Sequence, residues 1–309
     1  MIRRPEEVQN DGKKIRMLIA GYPGLGKTTL ALSAPSPLLI DVDFGIDRAE
    51  ARVRTPYIQP TDYQEILDDL KDPAGLKEFE TLVFDTGGRL ISLMSRWAIA
   101  QNPKNGQNDG SLSLKGYGAV GREFNRLMDH CFYNLKKNII VVFHAVEEKD
   151  GDNTRLRIKC EGQTKNNVWE PMDLGGFMEM QGRNRVIGFS NCEKYFAKGT
   201  KGIQGTMVIP DISHGAANNF LTKLFEQYNE NLRAESAELA EIRTRYAAAM
   251  KKGTEILGNV TDAVSANTFM DDFKQIEHAM TSERELGTMW NRKIKELGLN
   301  FDREKKAYV

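Results

Sequence analysis

No apolar run in this 309-residue sequence approaches the roughly 18 residues that a bilayer-crossing helix requires. A membrane partner is therefore not expected. The opening segment MIRRPEEVQNDGKK is basic, then acidic, and lacks the apolar stretch of a secretory signal, which predicts a cytoplasmic protein. Cysteine is scarce: Cys131, Cys160 and Cys192 are widely spaced and odd in number, which excludes a disulfide framework and reads as small buried thiols. His130, His144, His214 and His278 are equally scattered, so no structural zinc site is expected. Charge of one sign is also missing. Lysine plus arginine and aspartate plus glutamate stand at 43 each, so there is no global field to attract nucleic acid, although a local or multi-subunit groove stays open. What is present is 40% hydrophobic residues with only ten prolines, enough to bury an α/β core and a smaller attachment.

Apolar strands punctuated by glycine and proline dominate the first half. Ile15–Ala20 reads as a buried strand entering a glycine-rich turn, and Thr28–Ser33 as a short helix stopped by prolines at 35 and 37. Leu38–Val42 is a second strand, ending in the acidic pair Asp41 and Asp43; a polar helix over 61–70 leads to a third strand, Thr81–Phe84, ending at Asp85. Continuous apolar strands alternating with helices predict an α/β fold with a mainly parallel central sheet covered on both faces. A helix over 89–100 is followed by residues 102–118, which have the composition of a mobile loop, then a helix over 119–135 and a strand over 138–143. Residues 147–153 read as a turn. Strands or hairpins over 154–160, 168–180, 185–190, 193–197 and 205–209 predict an antiparallel extension. Enrichment in Glu, Ala, Leu, Arg and Met over 230–251, with further candidates at 268–280 and 282–297, predicts a small C-terminal helical region. Ser265–Asn267 and Thr281 are the start signals for the last two helices.

The chemistry concentrates at Gly21-Tyr22-Pro23-Gly24-Leu25-Gly26-Lys27-Thr28-Thr29, which satisfies GxxxxGK[ST] between an apolar strand and a helix. Glycines let the backbone approach phosphate without Cβ clashes, and successive amides point into the anion. Lys27 is assigned to the β- and γ-phosphates, the Thr28 hydroxyl to magnesium, and Thr29 to the neighbourhood of the α-phosphate. The cofactors predicted are ATP and Mg2+. Asp85, at the end of ETLVFD, is the carboxylate expected beside the metal, so Thr28 and Asp85 form the metal pair. Asp43 is the leading residue for orienting water, with Asp41 the fallback because alternate strand positions share one edge. His144, after NIIVVF, is assigned to sensing the γ-phosphate.

With these residues in order, the chain resembles RecA-like P-loop ATPases over about residues 14–212. Within that group it is similar to short bacteriophage nucleotide-binding proteins associated with single-strand annealing and recombination. The resemblance implies a RecA-like core, expected over 14–228; composition sets apart an N-terminal tail at 1–13 and a C-terminal helical region at 229–309. A phage origin would place the protein in a host cell's cytoplasm. In the family pattern Asp43 holds the catalytic acidic position, Asp85 the Walker B position and His144 the polar sensor position, where Asp43 and His144 replace the usual glutamate and glutamine.

The resemblance also implies two DNA-facing loops, at residues 102–118 and about 147–170. Lys104, Lys115, Tyr117, Arg155, Arg157, Lys159 and Lys165 would contact backbone or stack on bases there. The stretch EKYFAKGTKG, residues 193–202, is similar to the segment whose lysines reach a neighbouring subunit's nucleotide. Lys198 is preferred over Lys201 for that role, which implies a homo-oligomeric ring or filament. The implied function is ATP-dependent recombination on single-stranded DNA, supporting annealing or strand exchange, with a recombination protein as a further partner. The basic C-terminal residues Arg292, Lys293, Lys295, Arg303, Lys305 and Lys306 have no assigned role. A partner-regulating ATPase that does not touch DNA is the competing reading. A small-molecule kinase is disfavoured because no arginine-rich lid is recognisable.

Overall fold

A computed structural model describes residues 12–150, 153–160, 168–213 and 215–309. The chain divides into two compact units, Asp11–Asn231 and a smaller one that takes in Leu232–Val309. The described helices include none long and apolar enough to cross a membrane.

The larger unit is built on β1 (Arg16–Gly21), β2 (Pro37–Asp41), β3 (Tyr57–Ile58), β4 (Thr81–Asp85), β5 (Asn138–Asp150), β6 (Asn153–Ile158), β7 (Leu174–Gln181), β8 (Asn184–Gly188) and β9 (Thr206–Val208). These strands run in the order β3-β2-β4-β5-β1-β7-β8-β9, with β6 paired to β5. From β3 to β7 the pairing along that order is parallel, while β8, β9 and β6 pair antiparallel. The mixed α/β architecture with a largely parallel sheet is therefore as expected. The strands in the middle are buried on both faces, which is why they read as unbroken apolar runs.

Two apolar layers sandwich this sheet. On one face α2 (Tyr63–Asp69), α3 (Gly87–Gln101) and α4 (Leu114–Asp129) pack through Ile66, Leu90, Met94, Phe124 and Leu127. On the other, α1 (Lys27–Ala31) and the first turns of α5 (Phe220–Asn259) pack through Leu30, Ala31, Leu221, Phe225 and Tyr228. Parallel strands joined by crossovers bring all their C-terminal ends to one edge, where the phosphate loop lies.

Several expected boundaries move, each for a packing reason. Residues 102–118 are not one open loop: a 3-10 turn spans Pro103–Asn105 and α4 begins at Leu114, so the helix expected over 119–135 starts five residues earlier. Ser113 caps α4 by accepting from the Gly116 amide at 3.2 Å. The Asn105 carbonyl lies where a Cβ on Gly116 would be, so a glycine that looked like a loop signal is a packing contact. Helix α4 runs into a π-helical turn at His130–Asn134.

The turn expected over 147–153 is instead largely β-hairpin, because β5 continues to Asp150 and pairs with β6 from Ala145 onward. The strand expected over 168–180 is confined to Leu174–Gln181, preceded by a turn. No strand forms over 193–197; only isolated bridges tie Tyr195 to Leu156 and Lys198 to Gly175. Of the cysteines, Cys131 is buried, Cys160 half-buried and Cys192 exposed, so the expectation of buried thiols fails at Cys192.

In the smaller unit the helix expected at 268–280 is α6 (Ala263–Lys274), and α7 (Ser282–Glu296) follows it. Asp262 caps α6 in a capping box with Ser265, so Ser265 lies inside the first turn and is not the start. A short hairpin, β10 (Phe301–Asp302) with β11 (Ala307–Tyr308), completes the unit. It closes over Trp290, whose Nε1 donates to the Tyr308 hydroxyl at 2.8 Å.

Candidate active site

Strand β1 ends at Gly21, held between His144 of β5 and Met178 of β7. A Cβ on Gly21 would lie 2.8 Å from the Met178 carbonyl oxygen, so only glycine allows the strands to close here. The chain then turns through Gly24 and Gly26, both in the left-handed region at φ +80° and +81°. No atom lies within 4 Å of a Cβ built on Gly24, which leaves an open cradle on that side. Pro23 is exposed at the loop tip, and Leu25 packs back against the apolar layer that holds α1.

Lys27 is buried beneath this loop. Its Nζ donates to the Tyr22 carbonyl at 2.8 Å and lies 3.3 Å from Nδ1 of His144. Burial pushes its pKa down, opposed by the negative charges of Asp85 and Asp43. Among the described residues it forms no direct ion pair. The Thr28 hydroxyl donates to Oδ2 of Asp85 at 2.5 Å. Asp85 is itself buried, and desolvation raises its carboxyl to about 6, with Asp43 and Asp41 adding to the rise and Thr28 and Lys27 opposing it. The Thr29 carbonyl accepts from Asn218 Nδ2 at 2.8 Å, tying α1 to the segment before α5. The Asp85–Thr86 peptide is cis.

The two acids after β2 separate into different environments. Strand β2 stops at Asp41, and Val42–Phe44 form a turn, so the expected shared strand edge does not exist. Asp41 is 1% exposed and its carboxylate accepts from the Gly45 and Ile46 amides at 2.8 and 3.0 Å and from Gln59 Nε2 at 2.8 Å. Those bonds commit it to holding the turn, which removes it as the fallback for orienting water. Asp43 is half-buried, 3.6 Å from Arg48, and close enough to Lys27, Asp85 and His144 to influence the titration of each.

His144 does not end its strand. It is the last β5 residue opposite β1, and β5 continues beyond it into the β5–β6 hairpin. Burial and the Lys27 charge lower its pKa. It also lines a cleft of about 370 Å³ together with Thr86, Arg89, Glu148, Lys159 and Cys160. The hairpin is also latched to the phosphate loop, because the Tyr22 hydroxyl donates to Glu147 Oε1 at 2.5 Å.

Topology thus brings Lys27, Thr28, Asp85, Asp43 and His144 to one sheet edge. Lys198 is not among them. Its backbone pairs with Gly175, three residues before the Met178 that faces Gly21, and its side chain borders a separate cleft with Trp169, Glu170 and Phe196. Of the residues assigned to DNA contact, Tyr117 packs partly buried against the core and Lys115 lies in the first turn of α4. Arg155 and Arg157 lie on β6, and Lys165 lies outside the described residues. Glu147 was hidden by its place in an apparent turn, because AVEEKD runs from apolar to charged with no period-2 alternation to mark a strand.

The residues fit a nucleotide and its metal. A buried ammonium lies under an open glycine cradle, and a hydroxyl–carboxylate pair stands beside it. Among the described residues no group of three or more His, Cys, Asp and Glu could hold a metal ion. Residues 13–200 match the family model described as AAA domain. No curated protein matches the chain.

Proposed function

The chain belongs to the AAA domain family, and from that premise we propose that its P-loop ATPase domain drives a DNA recombination protein acting on single-stranded DNA. ATP binding and hydrolysis are what the family membership supports directly. The glycine cradle and Lys27 would hold the β- and γ-phosphates, and Thr28 with Asp85 would hold Mg2+. Held there, Mg2+ would supply positive charge at the phosphate oxygens, beside the fixed charge of Lys27. Asp43 orients the attacking water through its carboxylate, in the position where the RecA-like pattern carries an acid. The neutral imidazole of His144 reports on Lys27 without adding a competing cation.

The observation that carries the wider reading is His144 itself. The ring meets Lys27 Nζ, His144 also lines the cleft with Val146, Glu148 and Ile158 of the β5–β6 hairpin, and Tyr22 ties that hairpin to the loop through Glu147. A change at the phosphate site therefore has two short routes to the hairpin that bears Arg155 and Arg157, with Lys159 directly after it. The RecA-like pattern assigns that region to DNA. The same pattern supports a homo-oligomer in which Lys198 acts on a neighbour's nucleotide, since its own chain does not bring it to the loop. The balanced charge of 43 against 43 favours a second reading, in which the hairpin engages a partner protein and not DNA.

ATP turnover and single-stranded DNA binding measured together, with wild type and Lys27→Ala, separate the two. DNA binding that requires ATP, or turnover stimulated by DNA, is expected. Nucleotide turnover with no DNA affinity would transfer the function to a protein partner. Loss of turnover in assembled Lys198→Ala is expected from a trans contact; unchanged turnover removes it.

A further inference from the structure

The β7–β8 hairpin overhangs the phosphate loop. Met178 is the β7 residue opposite Gly21, yet β7 continues through Glu179 and Met180 to Gln181 before the chain turns back into β8. At the usual strand rise those extra residues carry the hairpin about 10 Å past the end of β1. Arg185, paired with Met180, lies on the overhanging part.

The strand alternation decides which way Arg185 faces. Ile187 is fully buried in the apolar layer that contains Leu30 and Ala31 of α1. Arg185 is two residues earlier on the same strand, so it shares that face one pleat nearer the hairpin tip. The consequence is visible at the loop: Nε and Cζ of Arg185 lie 4.0 Å from the position a Cβ on Gly26 would take. Among the described residues the guanidinium has no hydrogen-bond or ion-pair partner.

We infer that Arg185 is a nucleotide-contacting residue, supplied by the same chain, whose guanidinium engages the polyphosphate held by the loop. The inference rests on the nucleotide assignment made above. An arginine stays charged at any working pH and presents a planar fork matched to phosphate oxygens. Lys27 approaches the site from beneath, and Arg185 approaches Gly26 from the sheet flank. The two cations therefore serve different sides of one anion. A Cβ on Gly26 would meet the guanidinium only at van der Waals distance, so the glycine is required there by its φ of +81° and not by Arg185.

The test is equilibrium binding of ADP and ATP, each with Mg2+, to wild type, Arg185→Ala, Arg185→Lys, Arg183→Ala and Lys27→Ala. Arg185→Ala is expected to weaken both nucleotides by roughly tenfold or more, the loss typical of one charge-assisted contact. Arg185→Lys should recover part of that loss, because it restores charge without the fork. Arg183→Ala removes the same charge from the hairpin turn and should bind as wild type does. Wild-type affinity in Arg185→Ala, or an equal loss in Arg183→Ala, overturns the inference while leaving the nucleotide site intact. Wild type that binds neither nucleotide, behaving like Lys27→Ala, overturns the underlying assignment and this inference with it.

Discussion

The Nζ of Lys27 lies 3.3 Å from Nδ1 of His144, so the cation of the phosphate loop and the ring at the root of the β5–β6 hairpin sense each other directly. An ammonium only donates, so the neutral ring accepts at Nδ1 and carries its proton on Nε2. Burial, followed by the Lys27 charge, holds the His144 pKa below its ordinary 6.5. The neutral ring is thus the form the fold favours. Its contribution to stability is present above the unfolded value and lost as pH falls below it. Imidazole NMR should show His144 titrating below an unperturbed histidine, and Lys27→Met should move its midpoint upward. An unchanged midpoint in that variant would disconnect the two residues.

Asp85 has the opposite sign. Its carboxyl is raised to about 6 from an ordinary 3.8, chiefly by burial, so the fold binds its proton more tightly than the unfolded chain does. Stability of the nucleotide-free protein should fall as pH rises through that window and stay lower above it. Asp85→Asn should therefore stabilise the nucleotide-free protein by about 1–3 kcal/mol near neutral pH, with no gain near or below the unfolded value. Urea unfolding at the two pH values measures this. The same variant should lose Mg2+-dependent turnover.

Asp41 and Asp43 are predicted to fail differently. Asp41→Ala leaves the buried Ile46 amide, the half-buried Gly45 amide and Gln59 without their acceptor, and should cost about 2–4 kcal/mol in chemical unfolding. Asp43→Asn removes a half-exposed pair with Arg48 and should stay within about 0.5 kcal/mol of wild type. Its effect should appear in turnover, with nucleotide affinity retained. Wild-type turnover in Asp43→Asn would take away its water-orienting role.

Two glycines offer a further contrast. A Cβ on Gly87 would overlap the ring of Phe143, so Gly87→Ala should destabilise by about 1–3 kcal/mol and disturb the β4–α3 junction beside Asp85. Gly24 has open space around it but a φ of +80°. Gly24→Ala should cost only about 1 kcal/mol of stability, from the left-handed backbone, while obstructing the cradle. Unfolding midpoints alongside ADP binding separate these outcomes: stability falls most at Gly87, and binding falls most in relation to stability at Gly24.

The parts of the site legible in the sequence are those whose chemistry is local. GYPGLGKTT carries its own turn, cradle and cation within one stretch, and the apolar run of ETLVFD is enough to deliver Asp85 to a strand end. The acids after β2 were legible as a pair but not as individuals, because which one holds the turn depends on amides several residues away and on Gln59. Residues 102–118 misled for a related reason: glycine and asparagine report backbone freedom, and only the neighbouring Asn105 carbonyl shows that Gly116 is there to be packed against.

By itself, then, the sequence determined that this protein has a phosphate loop at the end of a buried strand, a mainly parallel sheet and a helical C-terminal region, since periodicity and turn chemistry are properties of consecutive residues. Only the tertiary structure decided that His144 touches Lys27, that Tyr22 is latched to Glu147, that Asp41 is spent on its own turn and that Arg185 overhangs Gly26. Each of these depends on strand order and register between segments far apart in the chain. A shift of one residue in the β1–β7 or β7–β8 pairing would turn Arg185 to the other face of the sheet.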